Sequence, residues 1–503
     1  MQQADGIYDI LVVGGGINGA GIARDASGRG LKVLLVEKDD LAQHTSSAST
    51  KLVHGGLRYL EHYEFRLVRE ALIERETLLA MAPHIVWPLR FVLPHHKGLR
   101  PAWLLRLGLF LYDHIGGRKL LPPTRSVDLR EPPHGRILEA SLTKGFEYSD
   151  CWVEDSRLVA LNAMDARARG AVIETRTECV ALERQGELWT ARLVSEDGER
   201  TVRARAIVNA AGPWVDAVLG KALPREEHHN LRLVKGSHII VPKIYEGAHC
   251  YIFQNGDGRI VFAIPYEREF TLLGTTDVAF DGDANEVHIS ADEARYICEA
   301  VNEYLAFDVL PDQAVSSYSG VRPLYDDRSA SNSTVTRDYV FELEGGGGEA
   351  PILSVFGGKI TTFRKLAQHA MEKLETAGIR GATSWDSQAQ LPGGDIAATG
   401  FDAFYEGCMR RWPWFGPDGI LRLARAYGTR IDRILGPATG LQDLGEHYGG
   451  TLYEAEVRYL IEEEFARTAE DILWRRSKLG LHLPADAIAR LEERFERRQA
   501  VSG

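Results

Sequence analysis

The chain has 503 residues, of which 44% are hydrophobic and 26% are charged, and its formal net charge is −12. This length exceeds what one hydrophobic core supports, so we expect two or three domains. The acidic balance disfavours broad nucleic-acid binding, which needs a basic surface. The five cysteines form no CxxC pair, which fits a reducing compartment and predicts neither a disulfide framework nor a metal site.

The first predicted elements form a nucleotide-binding unit at the amino end. An apolar run ends at Val13, a turn with Gly14, Gly16 and Gly19 begins an alanine-rich helix, and a second apolar run ends just before Glu37. The first glycine permits a tight turn, the second lets backbone approach a pyrophosphate, and the third lets the helix pack on the strand. The free N–H groups of the helix start favour phosphates, and Glu37 is predicted to bind ribose hydroxyls.

The later elements predict a discontinuous fold. Residues 61–82 carry helical periodicity up to Pro83, residues 171–209 alternate short strands that end near Gly212, and the runs at 231–281 predict an antiparallel sheet. Residues 351–374 are predicted as strand, glycine turn and helix, and residues 400–503 are helical with almost no strand signal. We expect the separated nucleotide-binding pieces to converge on one cofactor.

The predicted fold class is therefore α/β. A discontinuous Rossmann-like domain would comprise residues 1–85, 150–230 and 350–385, and an inserted antiparallel-sheet domain that binds substrate would comprise residues 86–149 and 231–349. Residues 390–503 are predicted to form a C-terminal α-helical domain.

Residues 99–123 stand out as an amphipathic segment. No run of about 20 apolar residues exists to span a bilayer. Apolar and aromatic residues can share one helical face here, with cations around it, as in helices that lie in a lipid interface. The face comprises Trp103, Leu104, Leu107, Phe110 and Leu111, and the cations are Arg100, Arg106, Arg118 and Lys119. The alternative is a helix that covers the protein's own core.

Five strings together resemble one enzyme family. They are TSSASTKLVHGGLRYLEHYEFRLV (45–68), KGSHIIVP (235–242), GTTD (274–277), SGVRPL (319–324) and FGGKITTFRKLA (356–367). In this order they resemble the FAD-dependent glycerol-3-phosphate dehydrogenases, within the D-amino-acid-oxidase-like flavoprotein superfamily. The likeness extends to DILWRRSKLG at 471–480, so it covers essentially the whole chain.

This resemblance implies that the cofactor is FAD and that three stretches bind it besides the first glycine turn. A flavin needs N–H donors or a positive charge near its pyrimidine ring, and the 357–361 turn offers both. The hydroxyl-rich loop at 45–51 is predicted to cradle the pyrophosphate and ribityl chain, the alternative being a plain surface turn, and small residues at 210–212 allow close approach. The predicted cofactor-binding residues in these stretches are Thr45, Ser46, Ser47, Ser49, Lys51, Ala211, Gly212, Gly357, Gly358, Lys359 and Thr361.

The resemblance also implies that the substrate is sn-glycerol 3-phosphate, whose phosphate needs fixed cations. Arg58, Arg322 and Lys359 occupy the family's active-site positions, and arginine's planar fork suits phosphate oxygens, although each alone would more often be a surface ion-pair residue.

Tyr59 and Thr276 are predicted to orient substrate hydroxyls. A base is needed for the hydroxyl proton, and His54 and His238 remain alternative candidates for it, each with a structural role as the competing interpretation.

The electron acceptor is expected to be membrane quinone, because dehydrogenases of this family use quinone, whereas related oxidases use oxygen and carry an insertion that residues 323–353 lack. We therefore expect a peripheral protein on the cytoplasmic face of the cell membrane, and a homodimer is compatible with this reading. The alternatives are a hydrogen-peroxide-forming oxidase of the same substrate, an amine or amino-acid oxidase, and a flavin-bound nucleic-acid or interaction protein that docks through its C-terminal helices.

Overall fold

The structure, a computed structural model, describes residues 6–223, 231–326 and 338–502. In chain order its strands are β1 Tyr8–Val13, β2 Val33–Val36, β3 Leu52–Val53, β4 Val86–His95, β5 Arg125–Asp128, β6 Lys144–Val153, β7 Val172–Glu174, β8 Thr177–Gln185, β9 Leu188–Ser195, β10 Gly198–Asn209, β11 Leu231–Pro242, β12 Cys250–Gln254, β13 Ile260–Tyr266, β14 Phe270–Gly274, β15 Val278–Ala279, β16 Ser316–Tyr325, β17 Val340–Glu344, β18 Ile352–Phe356, β19 His447–Gly449 and β20 Leu452–Tyr453.

The α-helices of the described residues connect and cover these strands. They are α1 Ile17–Gly28, α2 Phe65–Met81, α3 Ala102–Ile115, α4 Asp155–Ala168, α5 Val215–Ala222, α6 Ala291–Asn302, α7 Phe363–Thr376, α8 Phe401–Arg411, α9 Pro417–Tyr427, α10 Ile431–Leu435, α11 Glu454–Glu463 and α12 Ala485–Ser502. Helix α2 ends just before Pro83, as the periodicity predicts.

One sheet, here the nucleotide sheet, runs in the order β17-β18-β10-β1-β2-β7, with the β8–β9 hairpin paired to β10. The strands from β18 to β7 are parallel. Strands β1, β2 and β18 are almost wholly buried, because α1, α4 and α7 cover one face and α5 with the β8–β9 hairpin covers the other. The carboxyl ends of β1, β2, β10 and β18 therefore lie together at one edge, where ligands of such sheets bind. These strands come from three separated stretches of the chain.

The second sheet, here the substrate sheet, runs in the order β15-β11-β14-β13-β12-β4-β6-β3, with β16 on β11 and β5 on β6. Its pairs are antiparallel except for β4 with β12. The turn residues at 255–258 and 267–269 connect β12, β13 and β14, as predicted. The register places His238 directly opposite both Gly274 and Tyr318.

The C-terminal region is a helical layer, apart from the two short strands β19 and β20, which the sequence pattern missed. Buried ion pairs fix it to the rest of the molecule. Arg157 of α4 pairs with Glu464, and Arg476 pairs with Asp40 near the nucleotide sheet. The predicted fold class, a Rossmann-like α/β domain with an antiparallel sheet and C-terminal helices, is confirmed.

The amphipathic segment contains α3, which packs one face on α2 and leaves the other in solvent. Trp103 is 70% exposed, Phe110 50% and Leu107 49%, whereas Leu104 is half-buried. The sequence pattern put Leu104 on the same face as Trp103, Leu107 and Phe110, but in the structure its side chain lies closer to the protein than theirs. None of the described helices is long and apolar enough to cross a membrane.

Candidate active site

The first glycine turn has the geometry that close packing against a nucleotide requires. Gly14 has φ +114°, and a Cβ there would lie 2.5 Å from the carbonyl oxygen of Ala210. A Cβ on Gly19 would lie 1.9 Å from the carbonyl oxygen of Gly14, so the helix could not pack on the strand. Among the described residues, the only atom within 4 Å of a Cβ at Gly16 is the Ser46 hydroxyl oxygen, at 3.1 Å, because this position faces a cavity. The steric limits at Gly14 and Gly19 thus accord with the turn and the packing that the sequence predicts, and the approach of a pyrophosphate at Gly16 stays a prediction.

That cavity, here the nucleotide cavity, lies at the carboxyl edge of the nucleotide sheet. Glu37 closes one side, and burial raises the pKa of its carboxyl group. Its oxygens accept hydrogen bonds from Gly15 N at 2.6 Å and Asp39 N at 2.9 Å. The predicted residues that line this cavity are Gly14, Gly16, Glu37, Thr45, Ser46, Ala211, Gly212, Gly357 and Gly358.

A further polar group points to a ligand in the nucleotide cavity. Asn18, in the first turn of α1, donates to the carbonyl oxygen of Gly357 at 3.0 Å. Its side-chain oxygen is buried and accepts no hydrogen bond from the described residues. Together with the positive end of the α1 helix dipole, this leaves a polar group available for a dinucleotide, while Ile17 N donates to the Ser46 hydroxyl at 3.0 Å. The residues present therefore fit FAD.

The loop at 45–51 only partly matches its predicted role. Thr45 and Ser46 line both the nucleotide cavity and the adjoining cavity described next, while Ser49 lines only the latter. The Ser47 hydroxyl donates to His44 O within its own turn, and the buried Lys51 ammonium donates to Asp155. Among the described cavity-lining residues neither Ser47 nor Lys51 appears, because each side chain is engaged by the protein itself.

The second cavity, here the substrate cavity, lies between the nucleotide-binding elements and the substrate sheet. The predicted residues that line it are Thr45, Ser46, Ser49, His54, Tyr59, His238, Thr276, Arg322, Gly357, Gly358, Lys359 and Thr361. These residues come from five separate stretches of sequence. The fold therefore brings the predicted flavin-side and substrate-side residues to one place.

The described cations of the substrate cavity are Arg322, Lys359 and Arg259. Arg322 of β16 donates to Thr276 O at 2.9 Å and lies 3.3 Å from Asp277. The Lys359 ammonium lies 3.7 Å from the centre of the Tyr59 ring. The backbone of Arg58 is in the 3₁₀ helix Leu57–His62, but its side chain lies outside the described residues.

Thr276 contributes to the cavity differently from the prediction. Its hydroxyl donates to the buried carboxylate of Glu293 at 2.8 Å and accepts a hydrogen bond from Ser237 N at 2.9 Å. The side chain is buried, so this hydroxyl is already engaged, and it is the Thr276 carbonyl oxygen that orients Arg322. Thr276 thus contributes by holding the Arg322 side chain through its carbonyl oxygen.

The two candidate bases differ in environment. His238 is 2% exposed, and burial, together with the charges of Lys51 and Arg322, lowers the pKa of its imidazole to about 3. It is therefore neutral near pH 7. His54 is less buried, and its backbone N–H and carbonyl oxygen bond with the Thr361 hydroxyl at 3.3 and 3.4 Å.

Sequence reasoning missed several cavity residues. Asn18 lies inside the glycine motif, and Thr50 and Asp277 lie inside strings already quoted for the family resemblance. Their positions in these motifs could have identified all three as candidate site residues. Arg259 follows the hairpin turn at 255–258, where no sequence pattern distinguishes a cavity-lining arginine from a surface one.

Comparisons with known proteins agree with this geometry. Residues 9–364 match the FAD dependent oxidoreductase family, and residues 386–496 match the C-terminal domain of alpha-glycerophosphate oxidase. A D-erythritol 1-phosphate dehydrogenase of Brucella abortus is 54% identical, over 98% of this chain and 99% of its own length. A glycerol-3-phosphate dehydrogenase of Pseudomonas aeruginosa is also 54% identical, over 96% of this chain and 94% of its own.

The solved structures include a chain that is similar to this one over nearly its whole length. A glycerol-3-phosphate dehydrogenase from Bacillus halodurans, complexed with FAD, superposes with a TM-score of 0.78 at 28% identity. The match covers 98% of this chain and 92% of that one.

Proposed function

Since the chain belongs to the FAD-dependent oxidoreductase family, in its glycerol-3-phosphate dehydrogenase branch, we propose that it oxidises sn-glycerol 3-phosphate to dihydroxyacetone phosphate. The observation that carries this proposal is the convergence of Arg322 and Lys359 with His54 and His238 in one cavity beside the nucleotide cavity. When bound, FAD supplies a flavin whose N5 accepts a hydride.

The cations bind the phosphate end of the substrate. Arg322 is held by Thr276 O, which fixes the direction of its guanidinium, and a charge-assisted pair with a phosphate forms without a change in arginine protonation. Lys359 precedes the 3₁₀ helix Ile360–Thr362, and its ammonium lies against the Tyr59 ring. Two cations at fixed positions in an acidic protein suit a small dianion better than an amino acid with a single carboxylate.

His54 and His238 act at the hydroxyl end of the substrate. Oxidation removes the hydride from the central carbon and the proton from its hydroxyl group, so the carbon–oxygen bond becomes a carbonyl. A neutral imidazole accepts that proton, and both His238 and His54 line the cavity where the hydroxyl would lie. We assign the proton acceptor to this pair; the surroundings that keep the His238 imidazole neutral also disfavour its protonated form.

The proposed electron acceptor is membrane quinone, with oxygen as the alternative. The exposed face of α3 supports a membrane-surface location, because Trp103, Leu107, Phe110 and Leu111 place apolar area in solvent between the exposed Arg100 and Lys119. Two further exposed aromatic residues, Tyr63 and Phe65, lie at the start of α2, against which α3 packs. We propose peripheral attachment at the cytoplasmic face of the membrane.

An anaerobic titration of the holoenzyme tests the substrate. Glycerol 3-phosphate is expected to bleach the flavin absorbance, and glycerol and amino acids are expected to leave it unchanged. Bleaching by an amino acid, or none by any polyol phosphate, would overturn the proposal. Added quinone in vesicles should then restore the oxidised spectrum, whereas rapid reoxidation by oxygen alone, with hydrogen peroxide formed, would identify an oxidase.

A second candidate substrate is D-erythritol 1-phosphate, a longer polyol phosphate. The Brucella abortus relative carries that name and is as similar to this chain as the Pseudomonas aeruginosa one. Both substrates present a phosphate to cations and a secondary alcohol to a base. Comparison of the catalytic efficiencies for the two substrates decides between them, and the larger value identifies the physiological class.

A further inference from the structure

The imidazole of His238 has one hydrogen bond to its neighbours in the described residues. Its Nε2 lies 2.9 Å from the hydroxyl oxygen of Thr50, and its buried Nδ1 has no partner there. A threonine hydroxyl can donate to a ring nitrogen or accept from its N–H, so this hydrogen bond forms with either tautomer of a neutral imidazole. The Thr50 hydroxyl therefore holds the Nε2 edge of the ring in place at the substrate cavity, which both residues line.

Tyr318 fixes the plane of the same ring. It stands opposite His238 in the pairing of β16 with β11, and the two rings stack with centres 4.8 Å apart and planes inclined by 21°. The Tyr318 hydroxyl donates to the carbonyl oxygen of Ser49 at 2.8 Å. The residue that orients the imidazole is thus joined to the loop that carries Thr50.

A buried ion pair holds that loop on both sides of Thr50. The Lys51 ammonium donates to Asp155 at 2.8 Å and to Ser47 O at 3.0 Å, and the Ser49 hydroxyl donates to Asp155 at 2.8 Å. Asp155 is the first residue of α4, outside the substrate sheet. Thr50 is therefore fixed between two residues that share one carboxylate.

We propose that Thr50 is a positioning residue of the oxidation: its hydroxyl holds the imidazole of His238 in place at the substrate cavity, and Lys51 and Asp155 hold Thr50 in place. This inference rests on the proposed function. The charged groups that disfavour imidazolium are Lys51, from the loop, and Arg322, from β16. The hydrogen bond between Nε2 and Thr50 and the stacked ring of Tyr318 set where this neutral imidazole lies against the substrate.

Thr50→Val tests the proposal, because valine keeps the shape of threonine and removes the hydrogen bond. Thr50→Ser restores a hydroxyl, and Ser47→Ala removes a hydroxyl of the same loop that bonds only within its own turn. In anaerobic rapid mixing of each holoenzyme with saturating glycerol 3-phosphate, Thr50→Val is expected to slow flavin reduction about tenfold, with little change in the concentration that half-saturates the rate. Thr50→Ser should recover most of the rate, and Ser47→Ala should match the unmodified enzyme.

A second readout is independent of turnover. The ¹⁵N spectrum of histidine-labelled, oxidised holoenzyme without substrate reports the hydrogen bonding of the ring nitrogens, and the His238 signal is identified from its loss in His238→Gln. Thr50→Val is expected to shift the Nε2 signal of His238, and Thr50→Ser to restore it. An unchanged signal, an unchanged reduction rate, or Thr50→Val protein that no longer retains flavin would each overturn the proposal. If no polyol phosphate reduces the flavin of the unmodified enzyme, the proposed function itself is overturned.

Discussion

The ammonium of Lys51 donates to both carboxylate oxygens of Asp155, at 2.8 and 2.9 Å, and both side chains are almost wholly buried. The pair joins the loop at 45–51 to the start of α4, and so connects residues of both cavities to the nucleotide-binding fold. Breaking it removes the partner of a buried charge, which is costly wherever water cannot replace that partner.

Asp155→Asn is therefore expected to destabilise the protein by about 3–5 kcal/mol. The loss should appear as a lower thermal midpoint and reduced flavin content after purification, since Thr45 and Ser46 of the same loop line the nucleotide cavity. Glu246→Ala breaks an exposed ion pair with Lys243 and serves as the control, with little change in either measurement. An Asp155→Asn protein with unchanged midpoint and full flavin would contradict this reading.

Gly16→Val is expected to yield folded protein without FAD. Of the residues that the structure describes, a Cβ at this position meets only the Ser46 hydroxyl, so the added side chain fits the protein and projects into the nucleotide cavity. The absorbance spectrum measures bound flavin, and circular dichroism measures folding. Gly220→Val is the matched control: Gly220 is exposed, a Cβ there has no neighbour within 4 Å in the described part of the chain, and the variant should keep its flavin. A full flavin spectrum from Gly16→Val would refute the assignment.

Arg322→Ala is expected to weaken substrate use and to leave FAD bound. Loss of a charge-assisted phosphate contact costs about 1.5–3 kcal/mol, or roughly a tenfold to hundredfold decrease in kcat/KM. Arg322→Lys should recover only part of this, because the planar fork is lost. Steady-state assays with a water-soluble electron acceptor measure the effect, with Arg295→Ala on the exposed surface of α6 as control. If Arg322→Ala and the unmodified enzyme have the same kcat/KM, this arginine has only a structural role.

Replacement of Trp103, Leu107 and Phe110 by serine is expected to release the enzyme from vesicles of anionic phospholipid. Each large apolar side chain withdrawn from lipid loses about 1.5–3 kcal/mol, enough in sum to abolish peripheral attachment. Activity with a water-soluble acceptor should survive, since these residues are exposed and lie outside both cavities.

The matched control for the membrane test changes Phe307, Leu310 and Val315, three exposed apolar residues elsewhere on the surface, to serine. This variant should still sediment with vesicles. Co-sedimentation of the α3 variant at the unmodified level would exclude α3 as the attachment surface, and loss of flavin from it would show that the helix supports the core.

His84 is expected to limit stability at acid pH. Burial, followed by the charges of Arg157 and Arg425, lowers the pKa of its imidazole from 6.5 to about 3. Between these values the unfolded chain binds the proton and the folded protein does not, so stability falls as the pH is lowered through that window. Neither ring nitrogen has a hydrogen-bond partner among the described residues.

His84→Leu is therefore expected to reduce the loss of stability that follows when the pH is lowered. The measurement is the thermal midpoint of His84→Leu and of the unmodified protein at pH 7, 6 and 5, where the variant should lose less stability than the parent. Parallel profiles would show that other groups control acid unfolding.

The sequence determined the nucleotide-binding unit by itself. The roles of Gly14 and Gly19 follow from local steric limits, since a turn with positive φ and a helix packed on a strand exclude side chains there. The apolar runs of β1, β2 and β18 are continuous because these strands are buried on both faces, so their pattern identifies them without long-range information. The order of elements then implied a discontinuous domain with an inserted sheet.

Only the tertiary structure decided which way each polar side chain of the site points. Lys51 and Asp155 are 104 positions apart in the sequence, and their pairing turns a lysine predicted to hold the cofactor into an anchor for its loop. Thr50 meets His238 over a separation of 188 positions. A hydroxyl or an ammonium bonds with whatever partner the fold brings near it, and local periodicity carries no information on partners supplied by distant strands and helices.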